Sequence, residues 1–169
     1  MLVLKLVIAV LIVSICTAIG IKKSKKYESR EYILREALYL FGGIKNEISY
    51  TLTPLPNAIE SVRQNMKTKL YDVMGQVSFE LLQYNANLDA IAYEIASLDE
   101  LTPYDIQVIS NGIISLGKTD VEGQISVINM TCDTLETQLQ DSIDLKKKNS
   151  KLYKTVGLAT GLMIAIVFI

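Results

Sequence analysis

Histidine and tryptophan are absent from the 169 residues, and the chain has only two cysteines and three prolines. Without histidine, neither a Ser-His-Asp nor a Cys-His catalytic arrangement can form, and histidine metal sites are excluded. Cys16 and Cys132 lie far apart in sequence, which rules out a disulfide framework or a CxxC metal site. These absences argue against the main catalytic and metal-binding classes and predict no cofactor.

The two ends of the chain lack acidic residues, whereas the middle is strongly acidic. Residues 1–26 and 146–169 carry five lysines each, and all 18 acidic residues lie between Glu28 and Asp144 with seven basic ones. The middle therefore has a net charge of −11, which the two ends reduce to −1 overall. Binding of nucleic acid through its phosphates needs a basic face, so we predict no nucleic-acid partner.

The apolar residues that raise the mean hydropathy to +0.29 are concentrated at the two ends. Residues 2–21 would form about 30 Å of helix, enough to span a bilayer. A cleaved signal peptide is the alternative, because Lys5, a short apolar run and Cys16-Thr17-Ala18 also fit that pattern. The four lysines within residues 22–26 resist translocation and favour an uncleaved transmembrane helix over residues 1–21.

The second apolar run covers residues 152–169, about 27 Å of helix. We interpret it as a C-terminal transmembrane helix, the alternative being a buried core helix. Lysines follow the first run and precede the second, and the positive-inside rule then places the residues between them in the cytoplasm. The predicted organisation is a transmembrane helix (1–21), a cytoplasmic acidic helical bundle (22–151) and a second transmembrane helix (152–169).

Small residues at four-residue spacing occur in both apolar runs. Gly157 and Gly161 form a GxxxG motif, and Ser14 and Ala18 form a similar pair in the N-terminal run. Such spacings let helices approach closely in a membrane. We take the four residues as candidates for transmembrane packing, either within the chain or between copies in a homo-oligomer.

The middle lacks strand signals and is rich in helix signals, which predicts an all-α fold. Gly42-Gly43 should kink the first helix or admit a close neighbour, and Asn87 looks like an N-cap. The predicted helices before the last one cover residues 27–49, 54–65, 69–85, 88–97 and 103–116.

The last helix carries the most regular pattern. Thr119 and Glu122 fit a capping box, and an apolar seam then repeats every three or four residues. This helix should continue into the C-terminal run, antiparallel to the first. The prediction is an antiparallel bundle of about six helices on N- and C-terminal transmembrane helices, with a seam formed by Val121, Ile125, Ile128, Cys132, Leu135, Leu139 and Ser142.

Candidate catalytic motifs are weak. Gly117-Lys118-Thr119 resembles the end of a P-loop, but the earlier glycine and the preceding strand are missing. Cys132 lies on the apolar seam beside Asp133, a setting that disfavours a reactive thiolate. We therefore predict that the chain is not an enzyme. The loop residues 53–56 and 117–120 are either a docking surface for a partner or simple turn and cap residues.

Several short motifs follow one another along the chain in a particular order and spacing. They are Glu47-Ile48-Ser49-Tyr50, Thr53-Pro54-Leu55-Pro56-Asn57-Ala58, Leu116-Gly117-Lys118-Thr119-Asp120, Gln124, Tyr153, Gly157-Leu158 and Gly161-Leu162. Together, in this order and spacing, they resemble the stage III sporulation protein AB family over the whole chain.

The resemblance implies a subunit of the membrane complex between mother cell and forespore, located in the mother-cell membrane around the forespore with its helical domain in the cytoplasm. It also implies a likeness to the F domains of type II secretion and type IV pilus platform proteins, and hence a cytoplasmic secretion-type ATPase and other membrane subunits as partners. One departure is that this chain has one such domain where those proteins have two. The predicted partner-binding residues are Glu47, Tyr50, Thr53, Pro54, Leu55, Asp120 and Gln124.

Two alternatives remain at this stage. A membrane-anchored helical sensor is one, although sensor domains usually lie outside the membrane and the lysines place this one inside. A small channel subunit is the other, and its spans should show a polar stripe. The apolar runs offer only Ser14, Thr17 and Thr160 for such a stripe.

Overall fold

The computed structural model describes residues 2–116, 118 and 120–168. Within the first and last helices the description covers only the backbone for a further set of residues, namely 2–9, 12, 150, 154, 157, 158, 161, 162, 165, 167 and 168. The predicted end of the fifth helix at Gly117 and the predicted capping box at Thr119 lie outside the described residues.

Six α-helices and one π-helical turn make up the described part of the chain, which contains no strand. This confirms the predicted all-α class and the number of helices. In chain order they are α1 (Leu2–Asn46), the π-helical turn (Glu47–Thr51), α2 (Leu55–Arg63), α3 (Leu70–Leu81), α4 (Leu88–Ala96), α5 (Pro103–Leu116) and α6 (Val121–Phe168).

The chain divides into two compact units, which are described separately. Residues 30–140 form one unit, called here the body, and residues 1–29 with 141–169 form the other, called the stem. Among the described residues, no helix has both the length and the apolar character needed to cross a bilayer. The transmembrane helices over 1–21 and 152–169 therefore stay a prediction, as do the segment boundaries drawn from them.

The core of the body is built from the apolar faces of all six helices. The seam predicted on α6 is confirmed at Ile128 and Leu135, which are fully buried, but Val121 at its start is exposed. The helix predicted over residues 69–85 is too long, because α3 ends at Leu81 and the Tyr84 side chain beyond it is fully exposed. The other fully buried core side chains include Leu34, Phe41, Ile44, Ile59, Leu70, Met74, Ile91, Ile95, Ile109 and Ile113.

Local capping explains where the short helices begin. The Asn87 side chain accepts hydrogen bonds from the backbone N–H groups of Asp89 and Ala90, as its position before α4 predicted. At the start of α5, Thr102 and Asp105 cap each other. The Thr102 N–H donates to the Asp105 carboxylate at 2.8 Å, and the Asp105 N–H donates to the Thr102 hydroxyl at 3.2 Å.

Two polar contacts set the direction of α6 against α1 within the body. The Arg30 guanidinium donates to the Gln138 side-chain oxygen at 3.3 Å, and the Lys45 ammonium donates to the Asn129 side-chain oxygen at 2.8 Å. Residue numbers rise along α1 while their partners' numbers fall along α6. The two long helices are therefore antiparallel, as the sequence predicted.

The Gly42-Gly43 pair serves close packing at one of its two positions. A Cβ atom at Gly43 would lie 2.7 Å from both methyl carbons of Val62 on α2, whereas a Cβ at Gly42 would have no neighbour within 4 Å. Since α1 is continuous to Asn46, the pair does not break the helix. Of the two predicted roles, close approach of a neighbour is the one observed.

These neighbouring glycines form a matched pair for a stability test. We expect Gly43→Ala to lower the free energy of unfolding by roughly 1–3 kcal/mol, because Val62 is buried and branched and must move. Gly42→Ala should raise it by roughly 0.5–1 kcal/mol, since alanine favours a helix interior. Urea unfolding of the full chain in detergent micelles, followed by circular dichroism, measures both. Equal effects would contradict the close α1–α2 approach.

A buried ion pair joins α1 to α5. The Arg30 Nε and Nη2 atoms donate to the two Asp105 carboxylate oxygens at 2.7 and 3.0 Å, and the Asp105 side chain is fully buried. Burial alone would raise the pKa of Asp105. The hydrogen bonds from Arg30 and Thr102 outweigh it and hold this pKa below its ordinary value.

The sign of this pKa shift predicts how stability depends on pH. Because the folded-state pKa lies below the unfolded one, Asp105 stabilises the fold above about pH 4, and the contribution is lost as the pH falls further. Asp105→Asn should cost about 3 kcal/mol at pH 7 by leaving Arg30 buried without a counter-charge. It should also flatten the acid limb of the stability curve measured by urea unfolding. An unchanged acid limb would show that another carboxylate is responsible.

Candidate partner-binding site

Glu47 organises the turn between α1 and α2. Its carboxylate accepts hydrogen bonds from the hydroxyls of Thr53, Thr51 and Ser61, at 3.0, 3.1 and 3.2 Å. The hydrogen bonds from Thr53 and then Thr51 lower the pKa of Glu47, against a small opposing effect of burial. Glu47 and Thr53 are therefore scaffold residues of this turn.

The backbone of the same turn closes the end of α1. The Glu47 carbonyl accepts from the N–H groups of Leu52 and Thr53 and from the Thr51 hydroxyl. Leu52 adopts a left-handed conformation with φ of 52° and ψ of 32°. Such a residue at a helix end is usually glycine, because a Cβ atom is strained there.

Pro54 and Leu55 direct the chain into α2. Pro54 occupies the N-cap position with extended backbone angles, and its carbonyl accepts from the Ala58 N–H at 3.0 Å. Helix α2 begins at Leu55, one residue later than predicted, and the half-buried Leu55 side chain packs against the core. Their roles in the structure are therefore helix initiation and packing.

The exposed part of this turn is a pair of apolar side chains, Tyr50 and Leu52, called here the tip. Tyr50 is 84% exposed and Leu52 is 71% exposed. Sequence reasoning identified Tyr50 but missed Leu52, because its left-handed backbone is visible only in the structure. An apolar side chain that is both strained and exposed is costly to the isolated protein, which marks the tip as the candidate contact face.

Asp120 and Gln124 belong to a separate local structure, the start of α6. The Asp120 carboxylate accepts from the Gly123 N–H at 2.9 Å, and the Asp120 carbonyl accepts from the Gln124 N–H at 2.9 Å. Asp120 is thus an N-cap, and its negative charge is favourable at a helix N-terminus. The sequence had placed this cap one residue earlier, at Thr119.

The structure brings both groups of predicted residues to one end of the body. The Lys45–Asn129 hydrogen bond fixes the end of α1 against α6. Glu47 follows Lys45 by two residues, and Asp120 precedes Asn129 by nine residues, about 13 Å of helix. Each group has its own local hydrogen bonds, so the tip and the α6 N-terminus are separately ordered structures at the same end of the body.

The candidate packing residues in the stem are described only in part. The Ser14 hydroxyl donates to the Val10 carbonyl of its own helix at 2.8 Å, and both Ser14 and Ala18 are exposed. Gly157 and Gly161 lie within α6, but their surroundings are outside the described part of the structure. Packing of these four residues against another helix stays a prediction.

The remaining candidate chemistry in the body is that of Cys132 and the acidic side chains. Burial raises the pKa of the Cys132 thiol, and the charge of Glu136 raises it further, so the thiol is held in its protonated form. Within the described ranges, no cluster of three or more carboxylate or thiol side chains is suited to hold a metal ion.

The fold and the tip define an all-α protein whose candidate site is an exposed turn. The chain belongs to the stage III sporulation protein AB family, whose model matches residues 5–169. This confirms the resemblance found in the sequence and establishes the chain as a sporulation protein. No curated protein matches it, and no solved structure does.

The strain at Leu52 can be measured directly. We expect Leu52→Gly to raise the free energy of unfolding by about 0.5–1 kcal/mol, because glycine relieves about 1–2 kcal/mol of strain and loses part of that gain to chain entropy. Leu52→Ala is the matched control, since it removes the apolar side chain but keeps the strained Cβ. Urea unfolding of the full chain distinguishes them. An equal gain from both variants would mean that exposure, and not strain, sets the cost.

Proposed function

We propose that the chain is a non-enzymatic platform or adaptor subunit of a membrane complex formed between mother cell and forespore. In this proposal two transmembrane helices hold the body at the cytoplasmic face of the mother-cell membrane. The body receives a cytoplasmic secretion-type ATPase and connects it to other membrane subunits of a secretion-like channel. Membership of the stage III sporulation protein AB family supports a role in sporulation.

The observation that carries the docking role is the tip. Tyrosine is enriched among the residues that dominate binding energy, because it offers a large rigid surface with a polar end. At the tip, Tyr50 stands beside an exposed Leu52 on a turn that Glu47 holds in place through three hydroxyl groups. A preorganised turn loses little entropy when a partner binds, which favours affinity.

Charge supports the same proposal. The body has a strongly negative net charge. Glu47 places a carboxylate in the turn that carries the tip, and Asp120 places another at the α6 N-terminus, at the same end of the body. An apolar centre with an acidic surround suits a partner that presents an apolar pocket with a basic rim. Such complementarity mainly raises the association rate and suppresses wrong partners.

The membrane part of the proposal depends on the lysine clusters. Residues 22–26 carry four lysines after the first apolar run, and residues 146–154 carry five within and before the second. Both clusters favour a cytoplasmic location for the residues between them. The small residues Ser14, Ala18, Gly157 and Gly161 offer a route to a homo-oligomer within the membrane.

The test compares two exposed tyrosines in the full chain. Tyr50→Ala should reduce capture of the secretion-type ATPase from sporulating cells at least tenfold, since truncating a central aromatic contact typically costs 2 kcal/mol or more. Tyr84→Ala removes an even more exposed tyrosine outside the tip and should leave capture unchanged. Immunoprecipitation with quantitative mass spectrometry measures both.

Charge reversal of Glu47 or Asp120 is a weaker probe, because it would disturb the turn and the α6 cap along with the surface. If Tyr50→Ala and Tyr84→Ala capture the ATPase equally well, the tip is not its docking face. If the wild-type chain captures only further copies of itself, the adaptor role is wrong and a sensor or channel subunit becomes the better explanation.

A further inference from the structure

The stem contains a groove between α1 and α6 that the docking role does not use. Its volume is about 330 Å³, within the range of small-ligand sites. The lining residues of each helix are three or four positions apart, or adjacent, and so lie on one face of that helix. The lining residues are Cys16, Ile19, Gly20 and Lys23 from α1 with Tyr153, Val156 and Thr160 from α6.

The groove has one polar end and one apolar end. Lys23 and Tyr153 are neighbours, with the Lys23 ammonium 5.6 Å from the centre of the Tyr153 ring. From this end, each wall extends seven residues, about 10 Å, to Cys16 on α1 and Thr160 on α6. Apart from Lys23, the lining residues are uncharged.

The side chains at the polar end of the groove are held in place by contacts with one another. The Tyr153 ring stacks on Tyr27 with ring centres 5.9 Å apart and an angle of 22° between the planes. Tyr153 is therefore held by Tyr27 and by the Lys23 ammonium. Gly20 is buried in the groove, where the absence of a side chain leaves room along α1.

The positive charge around the groove favours an anionic ligand. Residues 1–26 and 146–169 contain ten lysines and no acidic residue. The stem carries further exposed lysines at positions 22, 25, 26, 147, 148 and 151. Its acidic residues are Glu28, Asp141 and Asp144, so its net charge stays strongly positive. An anion bound at Lys23 would be attracted by this whole cluster, and a cation would be repelled.

We infer that this groove is a binding site for one anionic phospholipid, with its phosphate at Lys23 and its acyl chain along Ile19, Val156 and Thr160. The inference rests on the proposed membrane location of the stem. An amphipathic groove with a cationic end matches a molecule that has an anionic head and an apolar tail. A soluble phosphate would use only the charged end and would leave the apolar wall exposed.

The test measures bound lipid on the full chain in detergent micelles by native mass spectrometry. The probes are phosphatidylglycerol, which is anionic, and phosphatidylcholine, which has no net charge. Lys23→Gln should weaken retention of phosphatidylglycerol about tenfold, the loss of one charge-assisted contact. Lys25→Gln makes the same change of charge on an exposed lysine outside the groove, and should weaken retention about twofold or less.

A second variant tests the apolar wall without changing any charge. Thr160→Phe should fill the far end of the groove and reduce retention of phosphatidylglycerol severalfold. Equal losses from Lys23→Gln and Lys25→Gln would overturn the site in favour of diffuse attraction. Retention by Thr160→Phe equal to wild type would also overturn it, as would full displacement of the lipid by millimolar inorganic phosphate.

Membrane association is measured separately, so that the two proposals can fail independently. Wild-type chain that an alkaline carbonate wash releases from cell membranes would contradict the proposed transmembrane anchoring. Chain that resists the wash but shows no preference for phosphatidylglycerol over phosphatidylcholine would leave the anchoring intact and overturn only the lipid site.

Discussion

The buried pair of Arg30 and Asp105 is the constraint on which the body depends. Asp105 accepts from the Arg30 side chain and from the Thr102 N–H, and Arg30 also donates to Gln138. One carboxylate thus fixes the start of α5 against α1, and the same arginine ties α1 to α6. A buried pair of this kind adds little net stability, but removing either partner leaves an uncompensated charge. Its effect is to select one arrangement of three helices.

The sequence predicted local structure better than distant contacts. The Asn87 cap, the start of α5 at Pro103 and the buried seam positions Ile128 and Leu135 depend on residues close in sequence, and the structure confirms them. Arg30 and Asp105 are 75 residues apart, and nothing in their neighbourhoods indicates that they pair. The helix predicted over residues 69–85 was too long for a related reason, because the helical pattern in the sequence continues past Leu81, where α3 ends.

The predicted site residues separate into scaffold and surface for physical reasons. Short polar residues in a turn or before a helix have nearby backbone and hydroxyl groups to satisfy, so Glu47 and Asp120 are occupied with local hydrogen bonds. A sequence motif cannot distinguish such a residue from one that contacts a partner. Leu52 is a surface residue that the sequence analysis missed, because a leucine in a sequence gives no sign that its backbone is left-handed. Exposure and backbone angle together mark the tip as the candidate contact face.

The charge distribution connects the two proposals. On a helix, an acid three or four residues from a lysine forms a pair with it, as Asp144 does with Lys147 at 3.7 Å. Lys148 lies four residues from Asp144, and Lys25 lies three residues from Glu28. The other lysines near the groove have no acidic residue three or four positions away, namely Lys22, Lys23, Lys26 and Lys151. Their charge is left for a ligand or a surface outside the chain. In the two proposals acidic lipids satisfy this charge, and the same lysines favour a cytoplasmic location for the residues between them.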